Sequence, residues 1–204
     1  MSGKRLSPAE RRARILDAAA AVFAESGYDA AGMRAVAARA GITTPVLYDH
    51  FRTKADLYAQ LLESEVDALI EAWAGRPVPA ESRALLTTTA DRVLRWAETH
   101  ECGWRMIFAE TPADPVVAEV HAAGRARAMA AARALFAWLP ALDTTSDLPR
   151  ERVDEAFAVA ATSTLNALAG WWWANRDVPR DQVVALLTDL LWHGLRQLTE
   201  GRRP

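Results

Sequence analysis

The chain has 204 residues, with 24 Lys and Arg against 26 Asp and Glu and an apolar content of 51%. That length supports one compact domain or two small ones, each with a real core, and no apolar run reaches the roughly 18 residues of a membrane-spanning helix. A single cysteine, Cys102, excludes an intrachain disulfide, and MSGKRLSPAERR lacks the apolar centre of a secretion signal, so a cytoplasmic protein is expected.

Residues 1–6 are expected to form a polar tail in which Lys4 and Arg5 could reach a phosphate. Ser7-Pro8-Ala9-Glu10 is a complete helix start, with Ser as N-cap, Pro at the first helical position and Glu three residues after the cap. The first helix is expected to run to about Ser26, to bury Ile15, Ala18, Ala19, Val22 and Phe23, and to end at Gly27. Tyr28 should pack between this helix and the next segment.

Residues 32–54, GMRAVAARAGITTPVLYDHFRTK, organise the rest of the chain. Met33, Val36, Ala37 and Ala40 recur at helical spacing on one face. Gly41 then allows a left-handed turn without a Cβ penalty. A second short helix follows through Val46, Leu47 and Tyr48 to Phe51. Two short helices joined by a tight glycine turn form a helix-turn-helix, whose second helix can enter the DNA major groove. Thr43 or Thr44 can cap that helix. Proline at 45 disfavours helical geometry in the residue before it, which favours Thr44 as the cap. Val46, Leu47 and Phe51 should pack inward. Thr43, Thr44, Tyr48 and His50 should face out, where hydroxyl and imidazole groups suit phosphates and base edges.

Thr53 should cap the next helix, with Asp56 completing an imperfect capping box. Lys54 then occupies the first turn, where the helix dipole disfavours a cation. A phosphate bound by Lys54 and the helix amides would explain that placement. The helix should run from Lys54 to about Ala74, with Leu57, Leu61, Leu62, Val66 and Ile70 on its apolar face, and stop at the Gly/Pro run over 75–79.

Helical stretches at about 81–102, 103–110, 115–139, 150–175 and 179–200 follow, with a loop at 139–149. No period-two strand pattern and no repeat interrupts them. The last two helices have wider apolar arcs than a single core-facing stripe. Trp171, Trp172 and Trp173 point about 100° apart, so they cannot all face one core. Phe157, Leu165, Trp172, Leu187, Leu190 and Leu191 are therefore expected at a twofold interface with a second copy. The fold expected is all-α with about nine helices: a three-helix head over residues 1–53 and a larger helical domain over 54–204.

Residues 1–54 hold nine Lys and Arg against five Asp and Glu, whereas residues 55–204 hold fifteen against twenty-one. A basic head on an acidic body would orient the molecule toward DNA.

The residues Arg14-Ile15-Leu16, Phe23, Gly27-Tyr28, Val36-Ala37, Ala40-Gly41, Leu47-Tyr48, His50-Phe51, Lys54 and Leu57 make the chain resemble the tetracycline-repressor (TetR) family of bacterial one-component regulators. The match is dense over the first quarter of the chain. It implies a homodimer that binds an operator in double-stranded DNA through its N-terminal domain and a small effector through its C-terminal helical domain. Arg34, Thr43, Thr44, Pro45, Tyr48, His50 and Lys54 are the DNA contacts expected. The family usually has Ser or Thr before the first motif helix. Here Ala31-Gly32 stands there, so that helix end should be weakly capped or should carry one fewer phosphate contact.

In the family the fifth to eighth helices usually enclose the effector. Trp96, His100, Trp104, Phe108, His121 and Asn166 are accordingly the expected pocket, an aromatic wall with a few polar groups for an apolar or aromatic ligand. No GxSxG, P-loop, GxGxxG, HExxH or CxxC is present, and His100, Cys102, His121 and His193 are not spaced as metal ligands. Neither an enzyme nor a cofactor is expected. The sequence reads as a transcription regulator, with release of a repressor by its ligand as the mechanism. The rival is a helical ligand-binding or scaffolding protein whose helix-turn-helix is structural; a steep salt dependence of DNA binding separates the two.

Overall fold

A computed structural model describes residues 7–74, 82–109, 112–136 and 146–199. The tail with Lys4 and Arg5, the helix stop at 75–79 and most of the 139–149 loop lie outside them. Nine α-helices appear among the described residues, with no strand: α1 Pro8–Ala30, α2 Met33–Ala40, α3 Thr44–His50, α4 Lys54–Ala74, α5 Ser82–Thr99, α6 Glu101–Trp104, α7 Pro115–Phe136, α8 Arg150–Ala174 and α9 Arg180–Thr199. A π-helical turn, Arg105–Ala109, continues α6.

The chain packs into two compact units. The first comprises the N-terminal part through Val66 together with His100–Arg125; the second comprises Asp67–Thr99 and everything from Ala126. The limits of these units fall inside α4 and α7.

In the first unit, α1 starts as its residues dictate. Ser7 Oγ accepts from the Glu10 N–H at 3.2 Å, and Glu10 accepts from the Ser7 N–H at 2.7 Å. The helix does not end at Ser26. Gly27 breaks it with φ 71° and ψ 169°, and a further turn continues to Ala30. The break turns Tyr28 inward, where its ring lies 6.1 Å from Phe23 and 4.9 Å from Tyr58. Ile15, Phe23, Leu47, Phe51, Leu57 and Tyr58 are almost fully buried and form one core. Each such side chain contributes about 1.5–3 kcal/mol. Further along α4, a Cβ at Gly124 of α7 would lie only 3.3 Å from Val66. Glycine there lets the two helices approach closely.

In the second unit, α5 packs along α9, and α8 packs on both. Val93, Leu94, Ala97, Val183 and Leu187 are buried. Arg180 reaches Asp91 at 3.1 Å and Glu98 at 2.5 Å, tying the start of α9 to α5. Pairs this exposed add little stability, so the apolar seam holds the helices together.

Candidate nucleic-acid interface and effector cavity

The turn between α2 and α3 is built by Gly41. It takes φ 65°, ψ 37°, and its N–H and that of Ile42 close onto the carbonyls of Ala37 and Ala38. Arg14 of α1 covers the turn, with Nη2 only 2.5 Å from where a Cβ on Gly41 would sit. The N-terminus of α2 begins at Gly32 with no side-chain cap, in keeping with Ala31-Gly32.

The cap of α3 is Thr43, with φ −82° and ψ 154°; Thr44 is already the first helical residue, and neither threonine makes a capping bond from its side chain. The expectation for Thr44 gave the residue-before-proline rule too much weight, since the first helical position tolerates it. Leu47 and the following Phe51 are fully buried, which fixes the helix's inner side. Tyr48 is 48% exposed, Thr43 and Pro45 are exposed, and Thr44 and His50 are half-buried. Arg34 is exposed on α2.

Lys54 has partners within the protein. Its ammonium bonds the carbonyls of Tyr28 at 2.8 Å and of Asp29 and Ala31 at 3.2 Å each, and lies 4.3 Å from the centre of the Tyr28 ring. The cation at the unfavourable end of α4 is compensated by the carbonyl end of α1. The cap before it forms as expected: Thr53 Oγ1 accepts from the Asp56 N–H at 3.0 Å. Asp56 reaches back one residue too far for a true capping box, to the N–H of Arg52 at 2.9 Å.

The expected pocket residues divide between the two units. Trp96 and Asn166 belong to the second unit. His100, Trp104, Phe108 and His121 belong to the first. His100 bonds Glu65 at 2.8 Å, and Glu65 fits against Gly103, where any side chain would displace it. Burial pushes the Glu65 carboxyl up, and the bond to His100 partly offsets this. His121 is 1% exposed and shares a 2.7 Å hydrogen bond with the Tyr58 hydroxyl. Burial, and then the charge of Arg125, push its imidazole down. The Tyr28 hydroxyl donates to Asp114 at 3.1 Å and is pushed up to about 12, by burial and then by that bond. Trp104 is buried with its ring 6.1 Å from Phe108. These contacts lie within the first unit. Asn166 retains a buried side-chain oxygen with no partner among the described residues.

The second unit holds a half-open apolar cavity of about 70 Å³, walled by Trp73, Leu86, Ala90, Ala132, Ala161, Leu165, Leu187 and Leu191 with Thr89 and Thr162. Three of these, Leu165, Leu187 and Leu191, were expected at the twofold interface. Leu187 is completely buried in its own protomer. So is Trp172, at 2%, with its Nε1 donating to the Val178 carbonyl at 2.8 Å. Phe157 is half-buried; Leu190 alone of the six is open, at 61%. A wide apolar arc cannot distinguish a cavity wall from an interface, because both are covered on the side away from the core. The missed wall residues carry a signal of their own: Ala132 of α7 and Ala161 and Thr162 of α8 are small side chains within runs of small residues, which leave space at the cavity.

Among the described residues no three His, Cys, Asp or Glu could hold a metal ion, and no helix is long and apolar enough to cross a membrane.

Known proteins place this geometry. The family model for bacterial regulatory proteins of the tetR family matches residues 15–61, which span most of α1 through the start of α4. The HTH-type transcriptional activator FasR of Mycolicibacterium smegmatis is 32% identical over 198 residues, 95% of this chain and 86% of its own length. The HTH-type transcriptional repressor KstR of the same organism is 43% identical over 60 residues, 29% of each chain. A TetR-like transcriptional regulator from Rhodococcus sp. RHA1 superposes with a TM-score of 0.71 at 27% identity, over 95% of this chain and 100% of the other. With a relative matched along nearly its whole length and a helix-turn-helix built as described, the chain belongs to the tetR family of bacterial regulatory proteins and is a sequence-specific DNA-binding transcription regulator, not an enzyme.

Proposed function

We propose that the chain acts as a homodimer whose affinity for an operator is lowered by an apolar small molecule in the cavity of the second unit. The apolar lining of this cavity carries the reading. Its walls offer almost no polar group: the Thr162 hydroxyl is already donated to the Ala158 carbonyl at 2.7 Å. A charged or strongly polar ligand would lose its hydration there without compensation. At about 70 Å³ the space admits a short apolar segment, and a ligand that seats more of itself among the helices must displace the side chains or helices that wall it. That displacement is how a ligand would distinguish two states of the protein, since it shifts their balance only through differential affinity. Thr43, Thr44, Pro45, Tyr48 and His50 on α3, with Arg34 on α2, are the DNA contacts in this reading. Repression released by ligand is the primary mode. The full-length relative is named an activator, which favours activation as a second reading.

Filling the cavity tests the proposal. Ala161→Phe should leave operator affinity within about twofold while abolishing release by whatever apolar compound releases the wild type. Release that persists at unchanged ligand concentration in that variant would place the effector elsewhere. In vitro transcription from the bound promoter, with and without the protein, decides between repression and activation.

A further inference from the structure

We infer that Asp49 is a base-reading residue that selects a cytosine in each operator half-site. The inference rests on α3 being the groove-facing helix, and the test below separates the two.

Asp49 stands two residues after Leu47 and two before Phe51, both fully buried. At about 100° per residue, two steps place it close to opposite the buried side. It is exposed, as is Pro45 one turn earlier. It is also the only acidic residue in α3.

Nothing local explains it. Aspartate is a poor helix former, and here it sits in the last turn, where the helix dipole disfavours a negative charge. It forms no hydrogen bond or ion pair among the described residues. On a DNA-facing surface it also repels phosphates. A residue that breaks several local rules without a compensating contact is expected where function requires it.

A carboxylate only accepts hydrogen bonds. On the major-groove edge the donors are the cytosine N4 and adenine N6 amino groups. The adenine amino group has acceptors on both sides, its own N7 and the thymine O4, whose lone pairs repel a carboxylate; the cytosine amino group has the guanine O6 on one side and only C5–H on the other. Cytosine is therefore the base that Asp49 fits. The phosphate repulsion sharpens selection, because sites without a well-placed amino group gain nothing to offset it.

Selection of bound duplexes from a randomised library, by the full-length wild type, Asp49→Ala and Asp49→Asn, tests this. The wild type should require C·G at one position per half-site and lose about tenfold in affinity when that pair is changed. Asp49→Ala should accept all four pairs there within about twofold and keep its other preferences. Asp49→Asn should shift that position toward A·T, since the amide pairs with adenine. The same motif for Asp49→Ala and wild type would overturn the inference. So would uniformly tighter binding by Asp49→Ala, which would make Asp49 a general repulsive charge, or its loss of binding to all DNA. Thr44→Ala and Tyr48→Phe are the controls. If neither alters affinity or motif, α3 is not in the groove and the underlying reading fails. If they do and Asp49→Ala does not, only the role of Asp49 fails.

Discussion

An ammonium group has three donors, and Lys54 directs all three at carbonyls where α1 meets α2. Those bonds give it a positioning role that requires no contact with DNA, and that role is testable. Lys54→Ala should lower the melting temperature and weaken operator binding, yet leave the slope of log affinity against log salt unchanged, because no phosphate contact is lost. Lys54→Arg should not restore function, since a planar guanidinium cannot point three donors at converging carbonyls. A slope reduced by about one unit in Lys54→Ala would return the residue to the phosphates. The sequence could show a cation misplaced at a helix start, but its partners are backbone carbonyls some 25 residues earlier, which have no residue-type signature. His121 also acts inside the fold. Its imidazole is held below its ordinary value by burial. The unfolded chain therefore binds a proton before the folded one does. The stability from keeping it neutral is present above about pH 6.5, the ordinary histidine value, and is lost as pH falls below it. His121→Gln should flatten that part of the stability profile, as read from urea midpoints at pH 7.5 and 5.5. An equally steep acid loss in the variant would assign it to other groups.

The elements show what local chemistry controls. Ser7-Pro8-Glu10, Gly41 and Thr53 each act as their residue types require, so helix starts and the motif turn were legible. Gly27 was legible as a break but not as a kink within α1. Whether helix resumes after a break depends on where the next side chain finds its packing, here Tyr28 against Phe23 and Tyr58. Gly41 is the element whose loss should be felt furthest. Alanine there must hold φ 65° and displace the Arg14 guanidinium. The left-handed conformation alone costs about 1–2 kcal/mol. Gly41→Ala should therefore lower stability by at least that amount and weaken DNA binding, because α3 hangs from this turn. Adding Arg14→Ala should recover only the steric part. Complete recovery in a thermal melt would show that the backbone carries no strain.

At the scale of the molecule, periodicity identified which helices are apolar but not what covers them. Leu187 and Leu190 are three residues apart on α9 and were equivalent in sequence. In the structure Leu187 is fully buried against the cavity, while Leu190 is 61% exposed. Val159 and Trp171 on α8 and Leu186 on α9 are also exposed, at 44%, 43% and 54%. Open apolar side chains on the last two helices are what a partner subunit would cover, and their energetic weight would lie in the dimer, not in the protomer. The two leucines therefore make opposite predictions. Leu187→Arg buries an unpaired charge and should unfold the second unit, at a cost of roughly 3–5 kcal/mol or more. Leu190→Arg should fold with a near-normal melt at high dilution yet sediment as a monomer at micromolar concentration. That monomer should also lose operator affinity steeply, since a single head contacts only one half-site. Sedimentation of Leu190→Arg indistinguishable from wild type, with operator binding intact, would show that the subunits meet through another surface.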